Sequence, residues 1–361
     1  MKVVIFGASG VVGHAAAEHF AGLTQCEVIT VSRRSPKVPG TTHASVDLAD
    51  RSGSARALAD PLFDGTTHVI YAALEESANL FAGWRDPELM ARNLRLFCNA
   101  LDPLVSANGG TLEHVNLLQG AKAYGLHVGR TPMPAKENAP RADHDNFYFL
   151  QEDVLRTLAG DARWSWTILR PQVVFGESLG SPMNLLPAIG VYAALERQRG
   201  RPLAFPGGIR SVQEATDARL LARALAWAAV APAARDQTFN VTNGDVYDWH
   251  EVWPTIAECL GMEAGEPAPL RLADAMPARA GEWTEVVDHY RLQAPRDMDA
   301  FVGASWQYAD LLFGSLGSRP LPALLSSVKI RQAGFGDAID TEAMFRQWFA
   351  RFQELGLLPR P

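Results

Sequence analysis

Cysteine is scarce. The 361 residues hold three, Cys26, Cys98 and Cys259, odd in number and far apart. That excludes a disulfide framework or a cysteine-based metal knot and fits a reducing compartment. Lysine is also scarce: of 33 basic residues only Lys2, Lys37, Lys122, Lys136 and Lys329 are lysines. Any chemistry that needs an ammonium therefore has few candidates. Positive charge is not in excess. The formal net charge is -7, which argues against nucleic acid or an anionic membrane as the main partner. No run approaches the ~20 apolar residues needed to span a bilayer. An apolar strand is already under way at Val3, so no secretory leader is expected, and a cytoplasmic location is. What remains is an ordinary globular composition, 47% hydrophobic and 20% charged, without repeats or low-complexity tracts. It is long enough for one large domain or up to two.

The chain opens on KVVIFGASGVVG, Lys2 to Gly13. Val3 to Phe6 form an apolar run of the kind that makes a strand buried on both faces. Gly7, Gly10 and Gly13 follow at three-residue spacing, and His14 to Leu23 has helical periodicity. Strand, glycine turn and helix make the start of a dinucleotide-binding unit. Gly7 permits the tight turn, Gly10 lets backbone approach a pyrophosphate, and Gly13 lets the helix pack close. Ser9, Val11 and Val12 complete the turn and offer backbone N–H groups at a helix N-terminus. A glycine-rich turn alone is weak evidence; its place between a strand and a helix makes the case.

The alternation continues. Strands are expected over 27–32, 43–48, 67–73, 112–118 and 164–174, with long helices over 87–107 and 146–158. This predicts an α/β fold with a doubly wound parallel sheet of the Rossmann type over residues 1–176. Further sheet elements are expected from about 205–245. Residues 177–361 are expected to form a smaller, mostly helical substrate-binding lobe. Ser32, Arg33 and Arg34 end the second strand, where this fold meets the adenosine ribose. Two arginines there suit the 2′-phosphate of NADPH through forked, charge-assisted hydrogen bonds, or they are a solvated loop. Asp47 and Leu48 fall near the adenine, although Asp47 equally suits a helix cap. Ala72 and Leu118, at the ends of the fourth and fifth strands, fall near the middle of the cofactor.

A Tyr-x-x-x-Lys pair, the usual acid–base device of short-chain nicotinamide enzymes, is missing. Among the five lysines only Lys122 lies just past the C-terminal edge of a central strand, where ligands bind in open α/β sheets. Around it the chain reads HVNLLQGAKAYG (114–125), followed by NFYFLQED (146–153), LRPQVVFG (169–176) and TFNVTNGDVYDW (238–249), with SRR at 32–34. These stretches, in this order, resemble the progesterone 5β-reductase/iridoid synthase-like family of atypical extended short-chain dehydrogenases. The resemblance covers nearly the whole chain. With abundant alanine and arginine, it points to a bacterial member.

The resemblance implies an NADPH-dependent reductase of α,β-unsaturated carbonyl compounds. In such an enzyme Tyr148 and Lys122 are the catalytic residues, and Tyr148, Val174 and Met183 also meet the cofactor. An enone or enal is then the small-molecule partner, without nucleic acid or membrane, and a homodimer is compatible with it. The chain departs from the family pattern at three places. Phe149 replaces a usual second tyrosine, leaving Tyr148 as the only phenol expected there. Leu118-Gln119 replaces Gln-Thr, and Leu74 stands where plant members often carry tryptophan. Two other readings stay open: a nucleotide-sugar epimerase or dehydratase, which would want the missing Tyr-x-x-x-Lys, and an NADP-binding redox sensor, which would not need Tyr148. His114, His127, His144 and His250 lack metal-site spacing, so surface or capping roles are expected. Trp249 and Trp253 suit a core. Met183, Asn184 and Tyr192 suit either a pocket wall or packing, and the polar loop over 120–146 is expected on the rim of the substrate site.

Overall fold

The computed structural model describes residues 1–129, 132–315 and 323–361. Seven strands form one sheet: β1 (Lys2–Phe6), β2 (Glu27–Ser32), β3 (Thr41–Ser45), β4 (His68–Tyr71), β5 (His114–Leu118), β6 (Ser165–Pro171) and β7 (Gln237–Val241). Their spatial order is β7-β6-β5-β4-β1-β2-β3. Every pairing is parallel, with Val4 opposite Ile29 on one side and Val69 on the other. The order reverses beside β1, and that switch opens a crevice at the C-terminal ends of the strands.

Helices cover both faces. α1 (Val11–Ala21) lays Ala16, Ala17 and Phe20 on one face, with Leu221, Ala224 and Leu225 of a later helix. On the other face α2 (Arg51–Leu58) and α3 (Pro87–Asn108) pack with α4 (Phe147–Ala159). Asp50, Asp86 and Asn146 start these three helices, each accepting a backbone N–H of the first turn on its side chain. A third core lies outside the sheet. It is built by α5 (Leu185–Gln198), α7 (Trp249–Cys259), α8 (Ala280–Tyr290), α9 (Ser305–Phe313) and α10 (Thr341–Glu354), with Trp249 and Trp253 inside it. Between α5 and α7 runs α6 (Ala218–Val230), the helix that packs on α1.

Three boundaries differ from expectation. β3 begins two and ends three residues earlier than the expected 43–48, because its partner β2 ends at Ser32, opposite Ser45. Asp47 and Leu48 thus lie beyond the sheet, at the crevice. The strand expected over 164–174 stops at Pro171. Val173 then takes φ 44°, a conformation that costs a β-branched residue on the order of 1–3 kcal/mol, and Val174–Phe175 pair with Thr216–Asp217 instead. The glycine- and proline-rich stretch after 176 hides α5, buried on all sides from Leu185 to Glu196. A helix apolar all round shows no stripe to find by periodicity. No helix among the described residues is long and apolar enough to cross a membrane.

Candidate active site

A cleft of about 1570 Å³ follows the C-terminal ends of the strands. Its floor takes Gly7 from after β1, Arg33 from after β2, Asp47 from after β3, Ala72 from after β4, Gln119 from after β5 and Gln172 from after β6. Ser9, Gly10, Val11, Val12, Ser32, Arg34, Leu48, Leu118, Val174 and Met183 also line it. Gly13 does not. A Cβ there would collide with the Gly7 carbonyl, so Gly13 serves close packing of α1 on β1. Gly7 turns the chain with φ 76°, and a Cβ on it would come within 2.6 Å of the Ala72 backbone. At Gly10 the only nearby atom would be the Gly7 oxygen at 3.4 Å, which leaves the approach to the helix open. No side chain caps the first turn of α1. Its N–H groups and the positive end of its dipole are therefore available to an anion.

Arg33 and Arg34 are exposed, and neither is within ion-pair distance of a carboxylate among the described residues. Arg34 reaches across the cleft to the Leu179 carbonyl at 3.4 Å. Ser32 donates to the Arg34 carbonyl at 2.6 Å and so shapes the turn that presents both cations. Asp47 accepts the Ala49 N–H at 3.1 Å, while the cap of α2 is Asp50.

The opposite wall carries Lys122 and Tyr148. Lys122 stands on a turn directly after β5, and Tyr148 on the first turn of α4. Asn146 joins them: its side-chain amide donates to the Lys122 carbonyl at 2.9 Å and its oxygen accepts the Tyr148 N–H at 3.0 Å. Gln119 donates to the Tyr148 carbonyl at 3.0 Å and is itself held by Arg170 at 2.8 Å, which reaches Glu152 at 3.2 Å. Gln119, one of the departures from the family pattern, is thus a buried brace for the helix that carries the tyrosine. The Lys122 ammonium lies 6.0 Å from the centre of the Tyr148 ring and 4.8 Å from that of Trp84. Its ion-pair partner is Glu76, at 2.8 Å and only 3% exposed, and the second oxygen of Glu76 accepts the Trp84 indole N–H at 3.1 Å. Glu76 and Trp84 were not found by reading the sequence. They lie 46 and 38 positions before Lys122 in a stretch without a motif.

Burial pushes the Tyr148 phenol well above its ordinary value, and the Glu76 carboxylate adds to the rise. The hydroxyl therefore stays protonated. Phe149 does not line the cleft; its ring faces Arg141 at 5.0 Å and His144 at 5.5 Å. A second phenol does line it, from a distant part of the chain: Tyr308 of α9. Tyr148 is thus not the only phenol at the site. Met183 is part of the wall, whereas Asn184 caps α5 and Tyr192 bonds the Ala204 carbonyl at 3.1 Å, both inside the packing. Leu126, His127, Val128 and Gly129 bring the 120–146 loop to the rim, and Leu74 lies in the wall. His250 lies on the first turn of α7 with its ring nitrogen 3.0 Å from Asp248, and Asp248 is the residue that caps the helix. His114 is no surface residue. It is buried in β5 against Ser165, and burial lowers its pKa to about 3.

The profile of the PRISE-like Rossmann-fold domain matches residues 64–308. The chain belongs to the PRISE family. It is an oxidoreductase of the short-chain dehydrogenase/reductase type, as its relatives and fold agree. Its relatives include an (S)-8-oxocitronellyl enol synthase of Nepeta racemosa, 30% identical over 99% of this chain and 92% of that protein. A 3-oxo-Delta(4,5)-steroid 5-beta-reductase of Arabidopsis thaliana is 29% identical over 99% of this chain and 92% of its own length. Among solved structures, the UDP-glucose 4-epimerase of Thermotoga maritima superposes with a TM-score of 0.68 at 15% identity, covering 98% of this chain and 99% of that one. That likeness concerns the fold. The PRISE match spans Lys122, Tyr148 and Tyr308 alike.

Proposed function

We propose that this PRISE-family chain reduces the C=C bond of α,β-unsaturated carbonyl compounds with NADPH. Two relatives named for an enol synthase and a steroid 5-beta-reductase support the class. The observation that carries the reading is the arrangement at Tyr148: its buried phenol lines the cleft, while the Lys122 ammonium is bonded to Glu76 and not to it. A phenol that must act as a base, as in sugar epimerisation or alcohol oxidation, needs its pKa lowered toward the working pH. Here burial and Glu76 raise it, while Lys122 is tied to Glu76. A phenol held neutral is suited to donate a hydrogen bond to an oxygen that gains negative charge.

The cleft residues fit the cofactor. The open approach over Gly10 and the uncapped start of α1 suit a pyrophosphate. The unpaired Arg33 and Arg34 suit a 2′-phosphate and favour NADPH over NADH. Val174 and Met183 would lie against the nicotinamide. When bound, the nicotinamide supplies a hydride to the β-carbon of the substrate, and charge moves to the carbonyl oxygen as an enolate. Tyr148 holds that oxygen. Lys122 and Glu76 together fix the corner. The segments after residue 176 that reach the cleft, Leu179 to Met183 with Leu311 and Leu312, enclose the substrate in a mainly apolar wall. We read them, with the helical core behind them, as the substrate-binding half.

The test is NADPH absorbance with a panel of simple enones and enals, for the wild type and for Tyr148→Phe. The wild type should consume NADPH. The variant keeps the ring and should lose 10²–10³-fold in turnover, the effect of a missing oxyanion donor, with NADPH affinity little changed. Consumption of NADPH with a simple ketone but with no enone would overturn the reading.

A further inference from the structure

We propose that Tyr308 is a second hydrogen-bond donor to the enolate oxygen, a catalytic residue acting beside Tyr148. The proposal rests on the enone-reductase reading above and adds a residue that the tyrosine and lysine motifs do not contain.

The chain has seven tyrosines, and their hydroxyls divide cleanly. Tyr124 donates to Asn240 at 2.6 Å and Tyr192 to the Ala204 carbonyl at 3.1 Å. The hydroxyls of Tyr71 and Tyr247 are sealed in the core without a partner. Tyr290 stands on the outer surface. Only Tyr148 and Tyr308 line the cleft, and neither hydroxyl has a hydrogen-bond partner among the described residues. Two phenols lining one cleft, with hydroxyls that no described group engages, are an incomplete hydrogen-bonding site.

The position of Tyr308 is fixed from its neighbour. Gln307 accepts the Leu80 N–H at 3.0 Å and donates to the Ala78 carbonyl at 2.8 Å. Those two bonds clamp α9 onto the turn that follows Glu76, and Glu76 is the partner of Lys122. Tyr308, the next residue, thereby lines the same cleft as Tyr148. The shared field agrees: after burial, Glu76 is the next cause raising the phenol in both tyrosines, and Tyr308 further raises Tyr148. Both groups stay protonated, so both can donate and neither serves as a base.

The chemistry balances without a further reagent. Hydride arrives at the β-carbon with its electron pair, the C=C π pair shifts toward the α-carbon, and the carbonyl π pair settles on oxygen. Two O–H groups donate to that oxygen and keep their protons. The α-carbon then takes a proton from water, which gives a saturated carbonyl compound and NADP⁺ from an enone, NADPH and a proton. Donors aimed at a charge that exists only after hydride transfer lower the barrier more than they tighten substrate binding.

The test uses the intact protein with NADP⁺ and a substituted phenol, 4-nitrophenol, whose phenolate is a planar stand-in for an enolate and whose ionisation is read by absorbance. Nitrobenzene serves as the neutral control. The wild type should bind the phenolate in preference to the neutral ring. Tyr308→Phe and Tyr148→Phe should each weaken phenolate binding on the order of tenfold or more, as expected for a hydrogen bond to a charged group, and leave nitrobenzene binding unchanged. In turnover, Tyr308→Phe should lower kcat ten- to a hundredfold with KM and NADPH affinity nearly constant, and the double variant should be slower than either single one. If Tyr308→Phe changes phenolate and nitrobenzene binding alike, or alters KM with kcat intact, the residue is only a wall and the proposal fails. A wild type without preference for the anion also overturns it. Failure of the enone-reductase reading looks different: no enone is reduced, yet the phenolate preference persists and depends on both tyrosines.

Discussion

The two ends of the cleft are built in opposite ways. At the cofactor end the working parts are backbone: Gly7, Gly10 and the uncapped start of α1, all within a dozen consecutive residues. At the substrate end they are side chains gathered from far apart. Glu76, Lys122, Tyr148 and Tyr308 span more than two hundred positions. A backbone site depends on local conformation, which a short motif specifies. A side-chain site depends on tertiary packing, which a motif specifies only in part.

The contrast is broken most severely at Gly7. Gly7→Ala places a Cβ at positive φ, 2.6 Å from the Ala72 backbone. Neither a rotamer nor a neighbouring side chain can relieve that contact. NADPH affinity should fall well over tenfold and the melting temperature by several degrees, because a left-handed conformation alone costs a non-glycine residue about 1–2 kcal/mol. Fluorescence titration and a thermal melt check this. Unchanged cofactor binding would mean that the turn is not the phosphate site.

The next effect separates charge from backbone within the cofactor end. Arg33→Ala with Arg34→Ala should weaken NADPH ten- to a hundredfold and NADH hardly at all, since each lost charge-assisted bond is worth roughly 1.5–3 kcal/mol before solvent screening reduces it. Isothermal titration with both cofactors decides it. Equal losses would return these arginines to the solvated loop that was the other reading of the sequence.

These two cases show how legible the molecule was. The strand, glycine turn and helix could be read directly, because each glycine answers a local steric demand. The parallel sheet could be read because a strand buried on both faces is an uninterrupted apolar run. Lys122 is legible from its place past the edge of a central strand, Tyr148 and the pairing of the two only through the family resemblance; both lie on one wall, bridged by Asn146. Glu76, Trp84 and Tyr308 could not be read. An acid in a loop and a tyrosine in a late helix carry no spacing signal, and only the clamp of Gln307 on the 78–80 turn brings them together. α5 was missed for another reason: burial on every side erased its periodicity.

Glu214, buried next to the cleft residue Gln213, gives a smaller, pH-dependent effect. Burial pushes its carboxyl up to about 7, against a pull downward from the Leu325 N–H at 2.7 Å. In the unfolded chain the same group ionises at about 4.5. Between these values the unfolded chain gives up its proton first. The native state therefore loses stability as pH rises through that window and does not regain it above 7. Glu214→Gln keeps an acceptor for Leu325 and cannot ionise. Its melting temperature should exceed that of the wild type by a few degrees at pH 8 and match it at pH 4. The same offset at both values would show that ionisation is not the cause.

The smallest expected effect sharpens the comparison most. Family resemblance places a second tyrosine at position 149, and this chain has Phe149. Were proximity along the chain to decide, restoring that hydroxyl next to Tyr148 would add a donor and raise turnover. The structure argues otherwise. Phe149 is buried away from the cleft, with its ring against Arg141 and His144. Successive residues on a helix point about 100° apart, so a hydroxyl at 149 cannot follow that of Tyr148 to the substrate. Phe149→Tyr should leave kcat and KM within about twofold of the wild type, while removal of the Tyr308 hydroxyl, 159 positions away, should not. The added phenol must find a partner among half-buried groups, so a modest loss of stability on the order of 1 kcal/mol accompanies the substitution. A clear rise in kcat for Phe149→Tyr in enone reduction would place the second donor beside the first on one helix and remove the need for a distant one.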